Sequence, residues 1–195
     1  MEEAVRLATQ IAEALEYAHE KSVVHRDLKP ANIKISHEGT VKILDFGLAK
    51  ALTDPSAVSS DLGNSPTLTM GATQVGMILG TAAYMSPEQA RGKSADRRSD
   101  IWAFGVVMHE MVTGKRAFAG TNAASVIAAI MERPAPSIGA LAPAVLDRVL
   151  AKCLEKDRDD RWQSVRDVKT NLLWAMEARA PVAANRGKSW VAHRA

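Results

Sequence analysis

The run SDIWAFGVVMHEMVTG, from Ser99 to Gly114, constrains the fold more than any other part of this sequence. Its apolar residues do not keep to one stripe. A helix apolar on nearly every face has to be buried on every side, so the run predicts a central core helix that ends at Gly114. Other elements must then pack all around it, and the rest of the chain supplies them. Ala4, Leu7, Ala8, Ile11, Ala12, Leu15 and Ala18 recur at steps of three and four, which predicts an amphipathic helix over about 2–20. TNAASVIAAIME predicts a helix capped by Thr121 or Asn122. APAVLDRVLAKCLEK predicts another with a proline in its first turn, and QSVRDVKTNLLWAMEA a last one ending before Pro181.

Two short alternating segments, NIKI and VKIL, flank SHEGT, where Gly39 can take a positive φ, and together they predict a hairpin. Residues 51–80 are rich in Ser, Thr, Gly, Asp and Pro, and so long a loop in a compact domain is functional or mobile. At 195 residues the chain can bury one ordinary core. The net charge of +3 is spread among acids up to about Arg179, which argues against a nucleic-acid partner. No apolar run reaches the roughly eighteen residues of a membrane helix. The acidic start MEEAVRLATQ is unlike a secretory leader, so the reading is a cytoplasmic domain without a membrane segment. Cys153, alone and inside a helical pattern, reads as a small buried hydrophobe.

The chemistry concentrates in HRDLKPANIKI, His25 to Ile35, a polar loop running at once into a strand. Phosphoryl transfer needs a carboxylate near the attacking hydroxyl, a cation on the transferring phosphate and oxygen ligands for Mg²⁺. Asp27 suits the first role, Lys29 the second and Asn32 part of the third. The hairpin should return Asp45, in LDFG, close to Asn32, so that two oxygens converge where Mg²⁺ would accept them along with water and phosphate. Two nearer-sounding motifs fail. GATQVGMI lacks the Lys-Ser/Thr of a P-loop, and the His-Glu pairs at 19–20 and 109–110 lack the second His of a zinc protease.

HRDLKPAN followed by DFG, then GTAAYMSPEQARG, the SDIWAFG helix and DRDDRWQS, in that order, resembles the eukaryotic-type (Hanks-type) serine/threonine protein kinases of bacterial kind over about residues 2–178. The resemblance implies a mainly α fold like the C-terminal lobe of a protein kinase, with helices around a buried central helix and a small β-hairpin carrying the catalytic and metal-binding loops. It implies Asp27 as catalytic base or hydroxyl-orienting residue and Lys29 on the transferring phosphate. Asn32 and Asp45 would hold Mg²⁺ or Mn²⁺ with ATP. Thr81 would bond Asp27 and Lys29 and shape the acceptor pocket, Glu88 would pair with Arg161, and Asp100 would brace the loop backbone. His25 reads as a packing residue. Arg26 beside Asp27 suggests control by phosphate on the long loop, with Thr69 and Thr73 preferred and Thr67 and Ser65 behind them. A plain Ser/Thr-rich solvated loop is the alternative there.

No G-x-G-x-x-G occurs in the sequence. The small lobe and hinge are therefore expected to be absent, with residues 1–178 as the larger lobe and 179–195 as a basic, flexible tail. Lys34 stands where the family usually puts an apolar residue beneath adenine, and its aliphatic stem would serve instead. The expected partners are a protein substrate, and a separate small lobe or another protein on the bare lobe face. The expected activity is ATP- and Mg²⁺-dependent phosphorylation of Ser/Thr, weak or absent in the isolated chain. The alternative is a catalytically inactive, kinase-derived binding or scaffold module.

Overall fold

A computed structural model of the protein describes residues 1–46 and 82–177. Thr81, the loop residues Ser65, Thr67, Thr69 and Thr73, and the tail 179–195 lie outside the described residues. Helix α1 (Glu2–Glu20) opens the chain. A 3₁₀ turn (Pro30–Asn32) then leads into β1 (Ile33–Ile35), which pairs antiparallel with β2 (Val41–Ile43) in the register Ile33↔Ile43, Lys34↔Lys42 and Ile35↔Val41. A short helix α2 (Pro87–Ala90) precedes α3 (Arg97–Thr113), α4 (Ala123–Glu132), α5 (Ala144–Cys153) and α6 (Val165–Glu177). The described residues are mainly helical, with one two-stranded sheet.

Helix α3 is the core element. Every residue from Ser99 to His109 is buried, which is the outcome the all-round apolar pattern demands. Asp96 caps its start by accepting from the Arg98 N–H at 2.8 Å. Gly114 ends it at φ 67, the left-handed conformation in which glycine meets no Cβ penalty. Helix α1 lies against α3 and α6, and α5 packs on both α3 and α6. The inward face of α1 carries Val5, Ala8, Ile11, Ala12, Leu15 and Ala18, while Ala4 and Leu7 sit half-buried at its edge. Trp102, Phe104 and Phe118 are fully buried, each worth roughly 1.5–3 kcal/mol of apolar burial.

The hairpin rests on α1 through β2. Gly39 takes φ 76 in its turn, and its carbonyl accepts from Arg6 Nη1 at 3.1 Å and Gln10 Nε2 at 3.0 Å, so α1 holds the turn end as well. One detail differs from the sequence reading. Pro143 is the N-cap of α5, not a first-turn residue, because its φ of −55 and ψ of 146 are extended. Of the two candidate caps for α4, Asn122 is the one used, accepting from the Ser125 N–H at 2.8 Å. Cys153 is fully buried, and burial pushes its thiol pKa up, so it packs as a small apolar group. No helix among the described residues is long and apolar enough to cross a membrane.

Helices α3 and α5 approach closely at Gly105. A Cβ added there would lie 2.7 Å from Cys153 Cβ and 3.0 Å from Leu154 Cδ2. Both neighbours are buried and hold little slack. Gly105→Ala is therefore expected to destabilise the fold by about 1–3 kcal/mol, as overpacking does. Urea unfolding measures it, and an unchanged midpoint would show that the helices can separate freely.

Candidate active site

The polar loop between α1 and the hairpin is held from the core helix. Asp100, only 1% exposed, accepts from three donors. Its Oδ2 takes the His25 N–H at 2.8 Å, its Oδ1 takes the Arg26 N–H at 2.7 Å, and His19 Nε2 lies 2.7 Å from Oδ2. A carboxylate accepts two main-chain donors readily, and each such charge-assisted bond is worth about 1.5–3 kcal/mol. Asp100 thus reaches the loop backbone where the brace was expected.

His25 is completely buried, with its ring 4.7 Å from the Phe46 ring. Its Nε2 lies 2.8 Å from the Leu44 carbonyl, which can only accept, so Nε2 carries the proton. Nδ1 is then a lone pair, and it accepts the Asp27 N–H at 3.2 Å. This histidine packs and orients; it has no nitrogen left for proton transfer.

Asp27 and Lys29 come together. Lys29 Nζ donates to Asp27 Oδ2 at 2.7 Å, with the two side chains 21% and 38% exposed, so both groups are reachable. Asn32 Nδ2 donates to the Asp27 carbonyl at 2.9 Å, which turns its Oδ1 the other way. Past Ile33↔Ile43 the pairing continues, since the Leu44 N–H donates to the Asn32 carbonyl at 2.8 Å. Asn32 therefore faces Leu44, and Asp45 is the next residue, exposed and at φ 62. The hairpin brings both candidate oxygen ligands to one end of the sheet. Their donors are a carboxamide and a carboxylate oxygen, hard ligands of the type Mg²⁺ and Mn²⁺ take and thiophilic metals do not. Lys34 is exposed directly opposite Lys42.

Glu88 and Arg161 form a two-pronged ion pair, Nη1 to Oε1 and Nη2 to Oε2, both at 2.7 Å and both buried. Arg161 also donates to the carbonyls of Glu155, Arg98 and Lys156, and Ser99 Oγ donates to Glu88 Oε1 at 2.7 Å. The pair ties α2, the start of α3 and the segment before α6 into one block.

A protein kinase domain model matches residues 1–173. The chain belongs to the protein kinase family. The chain is 39% identical over 178 residues to a probable serine/threonine-protein kinase PknB of Bifidobacterium longum, covering 89% of this chain and 24% of that protein. Against the serine/threonine-protein kinase PknB of Mycolicibacterium smegmatis the identity is 38%, over 91% of this chain and 27% of the relative. Against that of Mycobacterium tuberculosis it is 37%, over 92% and 27%. The chain spans about a quarter of the length of the curated relatives it matches. The similarity is to the bacterial serine/threonine kind of kinase.

The residues around the loop include two that its sequence did not point to. His19, 81 positions from Asp100, shares its carboxylate. Gln89 Nε2 donates to the Arg26 carbonyl at 2.7 Å. The S-x-x-Q pattern of SPEQ signals a capping box, but nothing local signals either long-range bond.

Burial alone would raise the Glu88 pKa, but hydrogen bonds from Arg161 and Ser99 and the Arg161 charge outweigh it and hold it at about 2, below the ordinary 4.5. A carboxyl depressed by folding contributes stability that is present above its unfolded value and lost as pH falls through its folded one. That window runs from 4.5 down to about 2. Urea midpoints of the wild type should fall across it, whereas Glu88→Gln should start lower at neutral pH and show a flatter fall. Equal slopes in the two proteins would contradict the assignment. Arg161→Ala, which leaves a buried carboxylate unpaired, should lose about 3–5 kcal/mol.

Proposed function

We propose that residues 1–178 form the C-terminal lobe of a Hanks-type serine/threonine protein kinase, followed by a basic tail over 179–195. The activity we assign is transfer of the γ-phosphate of ATP, with Mg²⁺ or Mn²⁺, to a Ser or Thr hydroxyl of a protein substrate. One observation carries the reading: Lys29 Nζ stands 2.7 Å from Asp27 Oδ2 while Asn32 pins the Asp27 carbonyl, so a carboxylate, a cation and a ligand oxygen share one small loop. ATP as the phosphoryl source puts the domain in the cytoplasm, and the named activity of the bacterial relatives supports the same substrate class.

Asp27 accepts the hydrogen bond of the acceptor hydroxyl and aims its oxygen along the line of attack. Lys29 sets its positive charge beside that carboxylate, where the transferring phosphate would pass. Asn32 and Asp45 supply the protein oxygens for the metal. MgATP, when bound, supplies the phosphoryl group and the charge that neutralises it in transfer. The loop's own contribution is position: Asp100 and the hairpin hold these groups in place before any ligand arrives, and pre-set electrostatics of that sort lowers barriers without reorganisation. Thr81 belongs to the acceptor pocket in this reading, and Thr69 and Thr73 are the phosphorylation sites that would engage Arg26.

The rest of an ATP cleft would be built by a small lobe, joined to this chain or carried by another. Its seat is the largely apolar groove of about 550 Å³ between α1 and the hairpin, where Ala14, Tyr17, Ala18, Val23, Ile43 and Phe46 line the wall together with Glu13 and Lys21. In the lobe alone, water reaches the phosphates and weakens every charge interaction there, so transfer should be slow. Above the hairpin end, the Lys34 stem would lie beneath the adenine.

Calorimetric titration of the chain with MgATP tests the site. Binding with Kd below about 1 mM, worth roughly −4 kcal/mol, is expected, and it should be lost in Asp45→Ala. With a complementing small lobe, Asp27→Asn should lower kcat by about 10²–10⁴-fold with the ATP KM little changed. MgATP binding that ignores Asp45→Ala, or full transfer in Asp27→Asn, would overturn these roles.

A further inference from the structure

Arg26 sits at φ 69, in the left-handed region, although it is neither Gly nor Asn. A residue held there costs on the order of 1–3 kcal/mol and stays only when its surroundings over-determine it. Its polar backbone atoms and the next N–H are all held by side chains. The Arg26 N–H goes to Asp100 Oδ1 at 2.7 Å, the Asp27 N–H goes to His25 Nδ1 at 3.2 Å, and the Arg26 carbonyl accepts from Gln89 Nε2 at 2.7 Å. The first two partners come from the core helix and from the loop itself. The third comes from α2, 63 positions away.

Gln89 cannot easily turn away. Its Oε1 accepts from the Ser86 N–H and from Ser86 Oγ, both at 3.0 Å, and Ser86 Oγ in turn takes the Gln89 N–H, closing the capping box of α2. An N–H on one side and a carbonyl on the other fix which end of the amide is oxygen and which is nitrogen. Among side chains of this length, only an amide serves both contacts. A glutamate would keep the cap, since Ser-x-x-Glu is itself a capping box, but an ionised carboxylate has no hydrogen for the Arg26 carbonyl. A lysine would have the donor and no acceptor.

We propose that Gln89 is a positioning residue for Asp27: its amide, anchored by the α2 capping box, clamps the left-handed Arg26 peptide and so sets the direction in which the Asp27 carboxylate points. The proposal rests on the phosphoryl-transfer reading for its consequence, but its geometry can be tested without that reading. It makes the capped turn of SPEQ a second brace on the loop, opposite Asp100. Displacement of α2 would be felt at Asp27 through a single hydrogen bond.

The test is amide hydrogen exchange, read residue by residue by NMR on the full chain without nucleotide, comparing Gln89→Glu with wild type at each pH. At pH 7.5 the Arg26 and Asp27 amides of Gln89→Glu should lose about tenfold in protection, the effect of one hydrogen bond, while those of α3 from Ile101 to His109 keep theirs. On acidification the introduced carboxyl of that variant takes up a proton and gains an O–H that can donate to the Arg26 carbonyl, and the ratio to wild type should return towards one. Gln89→Met, without donor or acceptor, should lose the protection at every pH, and it decides the matter if the glutamate variant does not fold. Loop amides within twofold of wild type in either folded variant overturn the proposal. So does a loss in Gln89→Glu that persists unchanged after protonation. Absence of phosphotransfer in the wild type would overturn the functional reading and leave this exchange result standing. In a transfer-competent assembly, Gln89→Glu should lower kcat about tenfold to a hundredfold with the ATP KM within about twofold.

Discussion

The Asp100 carboxylate is the point on which the site depends. It is buried in the first turn of the core helix, and it accepts the N–H groups of His25 and Arg26 as well as His19. Without it, two backbone donors would be left unpaired in a buried place, at about 1–3 kcal/mol each, and the left-handed turn at Arg26 would have little reason to persist. The helix that forms the core for packing reasons thus also fixes the loop that carries the chemistry. The path from burial to function is short here: an all-round apolar helix is immobile, and the buried acid in its first turn inherits that immobility.

Around this point the loop is enclosed from several directions. The hairpin ladder extends through the Leu44 to Asn32 bond and brings Asp45, the next residue, to the same end of the sheet as Asn32. His25 closes the gap between loop and hairpin by bonding the Leu44 carbonyl with one nitrogen and the Asp27 N–H with the other. Helix α2 adds the Gln89 clamp, and α2 is itself fastened to the domain by the Glu88–Arg161 pair. That ion pair lies outside the loop, yet it keeps in place the short helix from which the clamp reaches. A four-residue helix such as α2 has little stability of its own, so its cap and this pair decide where it stands.

Much of this was legible in the sequence, for identifiable reasons. The long helices declared themselves by periodicity: Ala8, Ile11, Leu15 and Ala18 on one face of α1, and continuous apolarity from Ile101 to Met108 in α3. Gly39 marked a positive φ and Gly114 the end of the core helix, both because few other residues accept the left-handed region. The placement of Asp27, Lys29 and Asn32 followed from a motif in which all three lie within six positions, so local geometry brings them together. Long-range partners were harder. Glu88 with Arg161 and Asp100 with the loop came from family resemblance, since 73 and 74 positions separate the partners. His19 and Gln89 escaped, because a side chain that bonds a distant backbone leaves no periodic or spacing signal. The N-cap role of Pro143 differed from expectation by one position, the usual slack of a helix end.

The claim that core burial sets the geometry of the loop is tested most directly by a crystal structure of Asp100→Asn. Asparagine keeps the shape but must turn an NH₂ towards one of the two backbone N–H groups it should accept from. The account predicts that Arg26 leaves the left-handed region and that the Lys29 Nζ to Asp27 Oδ2 contact of 2.7 Å opens, while α3 stays in place. A loop that keeps Arg26 near φ 69 and the Lys29 to Asp27 contact intact would contradict it.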